Sequence, residues 1–256
     1  MSIVSVSQYE LIYNAFSFTI AAMGAATLFL WLNRGSVASP YRLALTVSGL
    51  VTAIALYHYL RITQSWTSSF TVLNDTITPT GVRFNDAYRY VDWLLTVPLL
   101  LIELILVMRL SPKETLDKSV RLGSLAALMI ILGYPGEVSQ NSSTRWIWWG
   151  LAMIPFLWIV FELYVGLKSS IASQPANVRS LVNGARLLTV LSWSFYPVVF
   201  ILPMIGFTGG AATTAVQVGY TICDILAKAV LGVVVYAIAV RKSSLESIAH
   251  PETVIA

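Results

Sequence analysis

The chain has 256 residues, of which 57% are hydrophobic and only 11% are charged. A soluble domain carries about 25% charged residues, so this composition excludes a water-soluble globular protein and indicates an integral membrane protein in a lipid bilayer. The net charge of +4 is scattered through loops without the polybasic runs of a nucleic-acid-binding protein, and the one cysteine, Cys223, excludes an intrachain disulfide.

Seven apolar segments are long enough to cross about 30 Å of hydrocarbon as α-helices. They are predicted at 10–33, 42–64, 88–109, 118–137, 145–168, 181–205 and 213–241. The connection 65–87 is the one long external loop, and its two alternating runs around turn residues predict a short β-hairpin. The predicted fold class is therefore an all-α membrane protein, a seven-transmembrane helix bundle forming a single domain over residues 1–256.

The distribution of lysine and arginine predicts how the bundle lies in the membrane. If the N-terminus is outside, the first, third and fifth connections and the C-terminal tail face the cytoplasm and carry most of the basic residues. The opposite side holds only Arg61, Arg83 and Arg145, with Arg89 near the edge. Because cytoplasmic loops are enriched in basic residues, we expect a multi-pass protein of the cell (inner) membrane with a cytoplasmic C-terminus.

Lys228 is a lone lysine inside the last apolar segment, and Asp224 lies four residues before it on the same helix face. An ionisable group in a membrane span is costly, so it indicates a functional site with a charged partner. The amine could belong to a structural salt bridge, or it could form a Schiff base with an aldehyde. These residues alone leave both interpretations open.

The third segment carries two acids on nearly the same helix face, Asp92 and Glu103, which are eleven residues and therefore ~16 Å apart along the axis. Two such acids, one toward each side of the membrane, resemble stations on a proton path. The alternative is that each pairs with a buried cation, which for Asp92 would be Lys228. No basic residue obviously reaches the depth of Glu103, so we expect its carboxyl group to be protonated at rest.

The motif Arg89-Tyr90-x-Asp92-Trp93-x-x-Thr96-x-Pro98, together with Asp224-x-x-x-Lys228, resembles that of microbial (type I) rhodopsins. The resemblance covers all seven segments. The combination of Asp92, Thr96 and Glu103 is similar to that of proton-pumping proteorhodopsins and xanthorhodopsins, whereas sodium pumps of the family carry Asn, Asp and Gln at these positions.

The resemblance implies all-trans retinal in the bundle interior, bound to Lys228 as a protonated Schiff base. It implies Asp92 as counterion and proton acceptor, Asp224 as second counterion and Glu103 as proton donor, with Arg89 completing the charged cluster. His58 resembles the histidine that hydrogen-bonds the acceptor aspartate in this group.

The resemblance also implies a set of pocket residues around the chromophore. They are Trp93, Leu100, Met129, Gly133, Trp149, Trp193, Tyr196 and Pro197. Leucine at position 100 goes with green absorption in proteorhodopsins. Gly150 is similar to the glycine that, in the xanthorhodopsin-like group, opens a lateral gap for a carotenoid antenna, although glycine is also common in membrane helices for close packing.

Acids outside this cluster are assigned less specific roles. The connection from Met204 to Val218 contains no acid, so early proton release from a pair of external glutamates is not expected. Asp86 and Glu137 are external acids that could serve in a later proton release by another route, but we expect each to be a solvated loop charge. Glu162 is expected to be an interfacial or subunit-contact residue.

The function that the resemblance implies is light-driven outward proton pumping, which is transport and not enzyme catalysis. It also implies a homo-oligomer, a pentamer or similar, and allows a bound carotenoid. One alternative is a photosensory rhodopsin that signals to a membrane transducer, against which Glu103 argues. Another is a ligand-gated seven-helix receptor with a structural lysine, against which the short cytoplasmic loops argue.

Overall fold

Long apolar helices make up most of the computed structural model, which describes residues 4–249. The α-helices are α1 (Val6–Leu32), α2 (Arg42–Ser68), α3 (Ala87–Met108), α4 (Pro112–Val138), α5 (Ser142–Phe161), α6 (Lys168–Ala172), α7 (Ala176–Ile201), α8 (Gly209–Asp224) and α9 (Leu231–Ala249). Within the described residues, seven helical spans are long and apolar enough to cross a membrane. The predicted all-α membrane fold is confirmed, while residues 1–3 and 250–256 of the expected domain lie outside the described part.

Helices that are adjacent in the chain pack side by side, from α1 against α2 through to α4 against α5. Contacts of α1 with α8 and of α7 with α9 close the bundle. Helix α3 lies deepest, since 61% of its most apolar window is buried, against 22% for α4. This difference places Asp92 and Glu103, both on α3, at the centre of the bundle, where water is excluded.

The fourth predicted span began too late, at residue 118, because hydropathy does not register a charged first turn. Helix α4 begins at Pro112, where the Ser111 side chain caps the helix by accepting a hydrogen bond from the Glu114 backbone N–H. Proline is favoured in the first helical turn, where its missing N–H costs nothing. The apolar pattern therefore locates the membrane-embedded part of the helix, and the cap decides where the helix starts.

Two predicted spans are not uniform α-helices. The fifth span contains α5 and then a π-helical segment, Glu162–Gly166. The last span contains α8, a π-helical segment, Ile225–Val230, and α9. Lys228 lies within the second π-helical segment. Such segments occur often at functional sites, because the extra residue in the turn changes the direction in which side chains project.

The predicted hairpin between the second and third spans is confirmed. Strands β1 (Phe70–Leu73) and β2 (Thr76–Pro79) pair antiparallel between α2 and α3, with Leu73 opposite Thr76. The turn residues Asn74 and Asp75 both have positive φ, 48° and 55°. Asn and Asp tolerate this left-handed conformation better than other non-glycine residues, and a two-residue turn of this kind matches the twist of a hairpin.

Candidate functional site

The Lys228 side chain ends between two carboxylates in the buried centre of the bundle. Its Nζ donates hydrogen bonds to Asp92 Oδ2 at 2.6 Å and to Asp224 Oδ1 at 2.7 Å. All three side chains are almost completely buried. A buried cation of this kind is stable only when it is paired and hydrogen-bonded, and here one amine bonds two acids from different helices.

The two carboxylates differ in how they are held. Asp224 Oδ2 accepts from the Tyr59 hydroxyl at 2.7 Å, and its Oδ1 accepts from the Tyr196 hydroxyl at 2.7 Å and from Trp93 Nε1 at 3.2 Å. Asp92 Oδ1 is buried and accepts no hydrogen bond from the described residues. Donors stabilise the charged form of a carboxylate, so this arrangement keeps Asp224 ionised and leaves Asp92 the more available of the two for a proton.

The predicted hydrogen bond from His58 to Asp92 is absent, which corrects the sequence-based expectation. His58 Nδ1 lies 3.0 Å from the backbone oxygen of Ile54 and 3.9 Å from Asp92 Oδ1. A carbonyl oxygen can only accept, so Nδ1 carries the hydrogen and gives it to the backbone one turn earlier. The imidazole is nevertheless an ionisable neighbour of Asp92 Oδ1, the oxygen that lacks a donor.

Arg89 was expected to join the charged cluster, but its guanidinium contacts neither Asp92 nor Asp224 directly. Arg89 Nη1 donates to the Tyr59 hydroxyl at 3.2 Å, and that hydroxyl bonds Asp224. The remaining nitrogens face away from Lys228, toward Gln217 and Asp86. Tyr59 therefore connects the arginine to the cluster.

Tyr59 and Gln217 are the two site residues that the sequence analysis missed. Gln217 lies seven residues before Asp224, which is two helical turns on the same face, and a polar residue at that spacing in an apolar span could have indicated it. Tyr59 gave no such signal, because a tyrosine in a membrane helix is common without any polar partner in the bundle interior.

A cavity lies beside Lys228. Aromatic and aliphatic side chains form most of its wall, and Lys228 and Asp224 are the charged groups that the described residues place on it. Ligand pockets are commonly apolar with a few placed polar groups. An apolar wall with one reactive amine fits retinal, a polyene with a single aldehyde.

The eight predicted pocket residues all lie on this wall: Trp93, Leu100, Met129, Gly133, Trp149, Trp193, Tyr196 and Pro197. Trp149 Nε1 donates to the backbone oxygen of Pro197 at 3.0 Å, which fixes its ring between α5 and α7. Gly150 does not line the cavity. A Cβ added at Gly150 would meet no atom within 4 Å, so there is open space on that side of α5.

Glu103 differs from Asp92 in having no ion-pair partner among the described residues. Its side chain is fully buried on α3, and neither carboxyl oxygen bonds to another described residue. Thr96, which lies between the two acids, donates its hydroxyl to the backbone oxygen of Asp92 at 2.8 Å. An isolated buried carboxylate would be very costly, which agrees with the expectation that this group is protonated at rest.

Three acids expected to be peripheral have ion-pair partners within the protein. Glu162 is buried, lies 2.7 Å from Arg121 of α4 and accepts a hydrogen bond from Trp158 Nε1 at 3.3 Å. It therefore joins α4 to α5 within one protomer, and its interfacial or subunit-contact role stays a prediction. Asp86 pairs with Arg89 at 3.4 Å and Glu137 with Arg145 at 3.9 Å, so both acids are partly exposed but neither is a free loop charge.

Comparison with known proteins places this geometry in a family. Residues 11–242 match the family model of the bacteriorhodopsin-like proteins. The green-light absorbing proteorhodopsin of a gamma-proteobacterium, EBAC31A08, is 31% identical over 237 residues, which cover 91% of this chain and 88% of that protein. Bacteriorhodopsin of Halobacterium salinarum is 32% identical over 187 residues, 71% of this chain and 66% of that protein.

Solved structures show the same likeness. The crystal structure of xanthorhodopsin, a light-driven ion pump with dual chromophore, is 49% identical, covers 96% of this chain and 99% of its own, and superposes with a TM-score of 0.93. Thermophilic rhodopsin is 42% identical with the same coverage and a TM-score of 0.93. The chain therefore belongs to the bacteriorhodopsin-like family, the microbial (type I) rhodopsins.

Proposed function

We propose that this protein is a light-driven outward proton pump that carries all-trans retinal on Lys228. The observation that carries the proposal is the buried amine between Asp92 and Asp224 at the wall of the apolar cavity. The names of two relatives, a proteorhodopsin and a light-driven ion pump, support it. Bound retinal would supply light absorption and isomerisation, and the protein residues would hold and move the proton.

Asp92 is the acceptor for the proton that leaves the Lys228 nitrogen. Its Oδ2 lies 2.6 Å from Nζ, a distance that needs no intermediate carrier. Its Oδ1 accepts no hydrogen bond among the described residues, so protonation of this carboxylate breaks few bonds. Asp224 is the second counterion, because the hydroxyls of Tyr59 and Tyr196 stabilise its charge throughout.

Glu103 is the donor that returns a proton to the nitrogen. A buried carboxyl group without a partner holds its proton at rest, and it lies on the same helix as Asp92 but toward the other membrane face. The bundle interior excludes bulk water around Glu103, so the proton it gives must be replaced from its own side. Two acids on opposite sides of one nitrogen make the transfer directional.

The outward direction follows from the distribution of charge along the chain. The positive-inside bias orients the Asp92 end of α3 outward and the Glu103 end toward the cytoplasm. The protein would then be a single seven-helix domain over residues 1–256 of the cell (inner) membrane, with the N-terminus outside.

A carotenoid antenna and a homo-oligomer, a pentamer or similar, are further parts of this proposal. The open space beside Gly150 supports the antenna, since a side chain at this position would occupy that space. The xanthorhodopsin structure is described as having a dual chromophore. Exposed apolar side chains along α5, including Ile147, Ile154 and Phe161, would contact lipid or a neighbouring copy.

The deciding experiment is light-induced pH change in an unbuffered suspension of cells that make the protein with retinal. External acidification that a protonophore abolishes supports outward pumping. Lys228→Arg is the matched control, because it keeps the positive charge but cannot form the retinal linkage. A coloured protein without any pH change would instead support the photosensory function.

A further inference from the structure

A continuous row of hydrogen-bonded polar groups leads from the Lys228 cluster toward the external loops. Asp224 accepts from the Tyr59 hydroxyl at 2.7 Å, and this hydroxyl accepts from Arg89 at 3.2 Å. Arg89 Nη2 donates to Gln217 Oε1 at 2.5 Å, and its Nε lies 3.4 Å from Asp86 Oδ1. The row ends at Asp86, the residue immediately before α3.

Gln217 holds the Asp86 carboxylate in place. Its amide nitrogen lies 3.2 Å from both carboxylate oxygens, and its amide oxygen faces Arg89. One glutamine thus uses its donor on the acid and its acceptor on the arginine. This arrangement orders Asp86 and Arg89 with respect to each other.

Exposure distinguishes Asp86 from every other member of the row. The side chain of Asp86 is 33% exposed, whereas that of Arg89 is 2% exposed. Tyr59, Gln217 and Asp224 are also buried. Asp86 is therefore the position at which the buried polar row meets the aqueous phase.

The chemistry of the row leaves Asp86 as the group that can hold and release a proton. A guanidinium does not deprotonate in proteins and a glutamine amide does not titrate in the physiological range, so Arg89 and Gln217 can only position their neighbours. Partial burial raises the pKa of Asp86 above its ordinary value, although the Arg89 charge and the Gln217 amide act in the opposite direction. The other external acid nearby, Glu137, pairs with Arg145 at 3.9 Å and takes no part in the row.

We propose that Asp86 is the external exit station for the transported proton, positioned by Gln217 and Arg89. This inference rests on the proposed pumping function and adds the route by which the proton leaves Asp92. The proton leaves the Asp92 carboxyl group, is taken up by the Asp86 carboxylate and then passes to bulk water, so both carboxylates regain their charge and Arg89 stays protonated. Asp86 and Asp92 are ~9 Å apart along the helix, so the transfer needs intermediate oxygens. The row itself reaches Asp92 through Asp224 and Lys228.

The test measures proton release with a pH-sensitive dye in the external medium after a flash, on the retinal-bound protein. Asp86→Asn should delay release and the deprotonation of Asp92 by ~100-fold or more, the lower end of what a positioned proton-transfer group contributes. Its absorption spectrum should not change, because Asp86 does not touch the Lys228 cluster. Asp86→Glu keeps the carboxylate and should restore release to near the wild-type rate.

Asp75→Asn is the matched control. Asp75 is an exposed acid in the hairpin turn on the same side of the membrane, and asparagine tolerates its positive φ of 55°. Release by this variant should equal that of the wild type. Release from Asp86→Asn with wild-type timing would overturn the proposal, and so would a delay caused by Glu137→Gln and not by Asp86→Asn.

A second variant keeps the proposal testable if Asp86→Asn does not fold. Gln217→Leu removes the amide that positions the carboxylate and should slow proton release. The delay should be largest at pH values at which Asp86 is ionised, and it should disappear in acid, where Asp86 is protonated. A rate that does not depend on either residue would contradict an exit station here. Failure of the pumping function itself is a separate result, since wild-type protein would then show no light-driven acidification at all.

Discussion

Asp92 and Glu103 are equally buried on one face of α3, yet only Asp92 contacts a cation. Asp92 Oδ2 lies 2.6 Å from Lys228 Nζ, whereas neither oxygen of Glu103 has a partner among the described residues. The same helix therefore carries one acid in the charged form and one that is stable only with its proton. This difference in environment gives two chemically similar groups opposite tasks, proton acceptor and proton donor.

Replacement of Asp92 by asparagine should abolish pumping and shift absorption to the red. The asparagine cannot take the proton, so transport should fall by at least ~100-fold, in line with loss of a positioned general base. Absorption shifts because the Asp92 charge stabilises positive charge near the Lys228 nitrogen in the ground state. Absorption spectra and light-induced pH changes measure both effects, and an Asp92→Asn protein that pumps normally would disprove the assignment.

Replacement of Glu103 by glutamine should slow the recovery of the photocycle by ~tenfold or more and leave the absorption spectrum unchanged. Without an internal donor, the proton that returns to the Lys228 nitrogen must come from solution. Because one proton is bound, the recovery rate should follow the proton concentration and fall about tenfold for each unit rise in pH. Flash spectroscopy across a pH series measures this dependence. Recovery of the variant that stays independent of pH would argue against Glu103 as the donor.

Gly150→Trp tests the antenna. The added ring would fill the open space beside α5, so carotenoid supplied to the membranes should no longer contribute to the excitation spectrum of the retinal photoreaction. Gly184→Trp is the control. Gly184 is also helical, and a Cβ added there would also meet no atom within 4 Å, but Gly184 does not lie next to Trp149. If carotenoid contributes equally to the excitation spectra of the two variants, Gly150 has no specific role in binding the antenna.

Lys242→Met tests a polar contact at the end of the bundle opposite to Asp86. Lys242 Nζ is buried and donates to the backbone oxygen of Met108 at 2.6 Å and to Gln174 Oε1 at 2.8 Å, which joins α9 to the end of α3 and to the segment before α7. Loss of these bonds should cost ~1–3 kcal/mol of stability. The melting temperature of the retinal-bound protein should fall relative to wild type.

The control for that variant is Lys113→Met, which removes an equal charge from an exposed position in the first turn of α4. Its melting temperature should stay within error of the wild type. If both variants melt at the wild-type temperature, the Lys242 contacts do not contribute to stability.

The class of protein, the number of spans and the charged residues of the site were predictable from the sequence. Long apolar segments have few structural solutions in a bilayer, and an ionisable residue inside one is too costly to be incidental. This is why Lys228, Asp92, Glu103 and Asp224 could be identified before any geometry was known. The hairpin was predictable for a local reason, since its turn residues favour a left-handed backbone.

Tertiary structure decided how these residues are connected. Lys228 and Asp92 are 136 positions apart in the chain, and Tyr59 and Asp224 are 165 apart. Which donor reaches which oxygen depends on helix packing, on the π-helical turn that carries Lys228 and on side-chain rotamers, none of which leaves a periodic signal in the sequence. For the same reason only the structure could turn His58 toward its own backbone, direct Arg89 outward and bring Gln217 against Asp86.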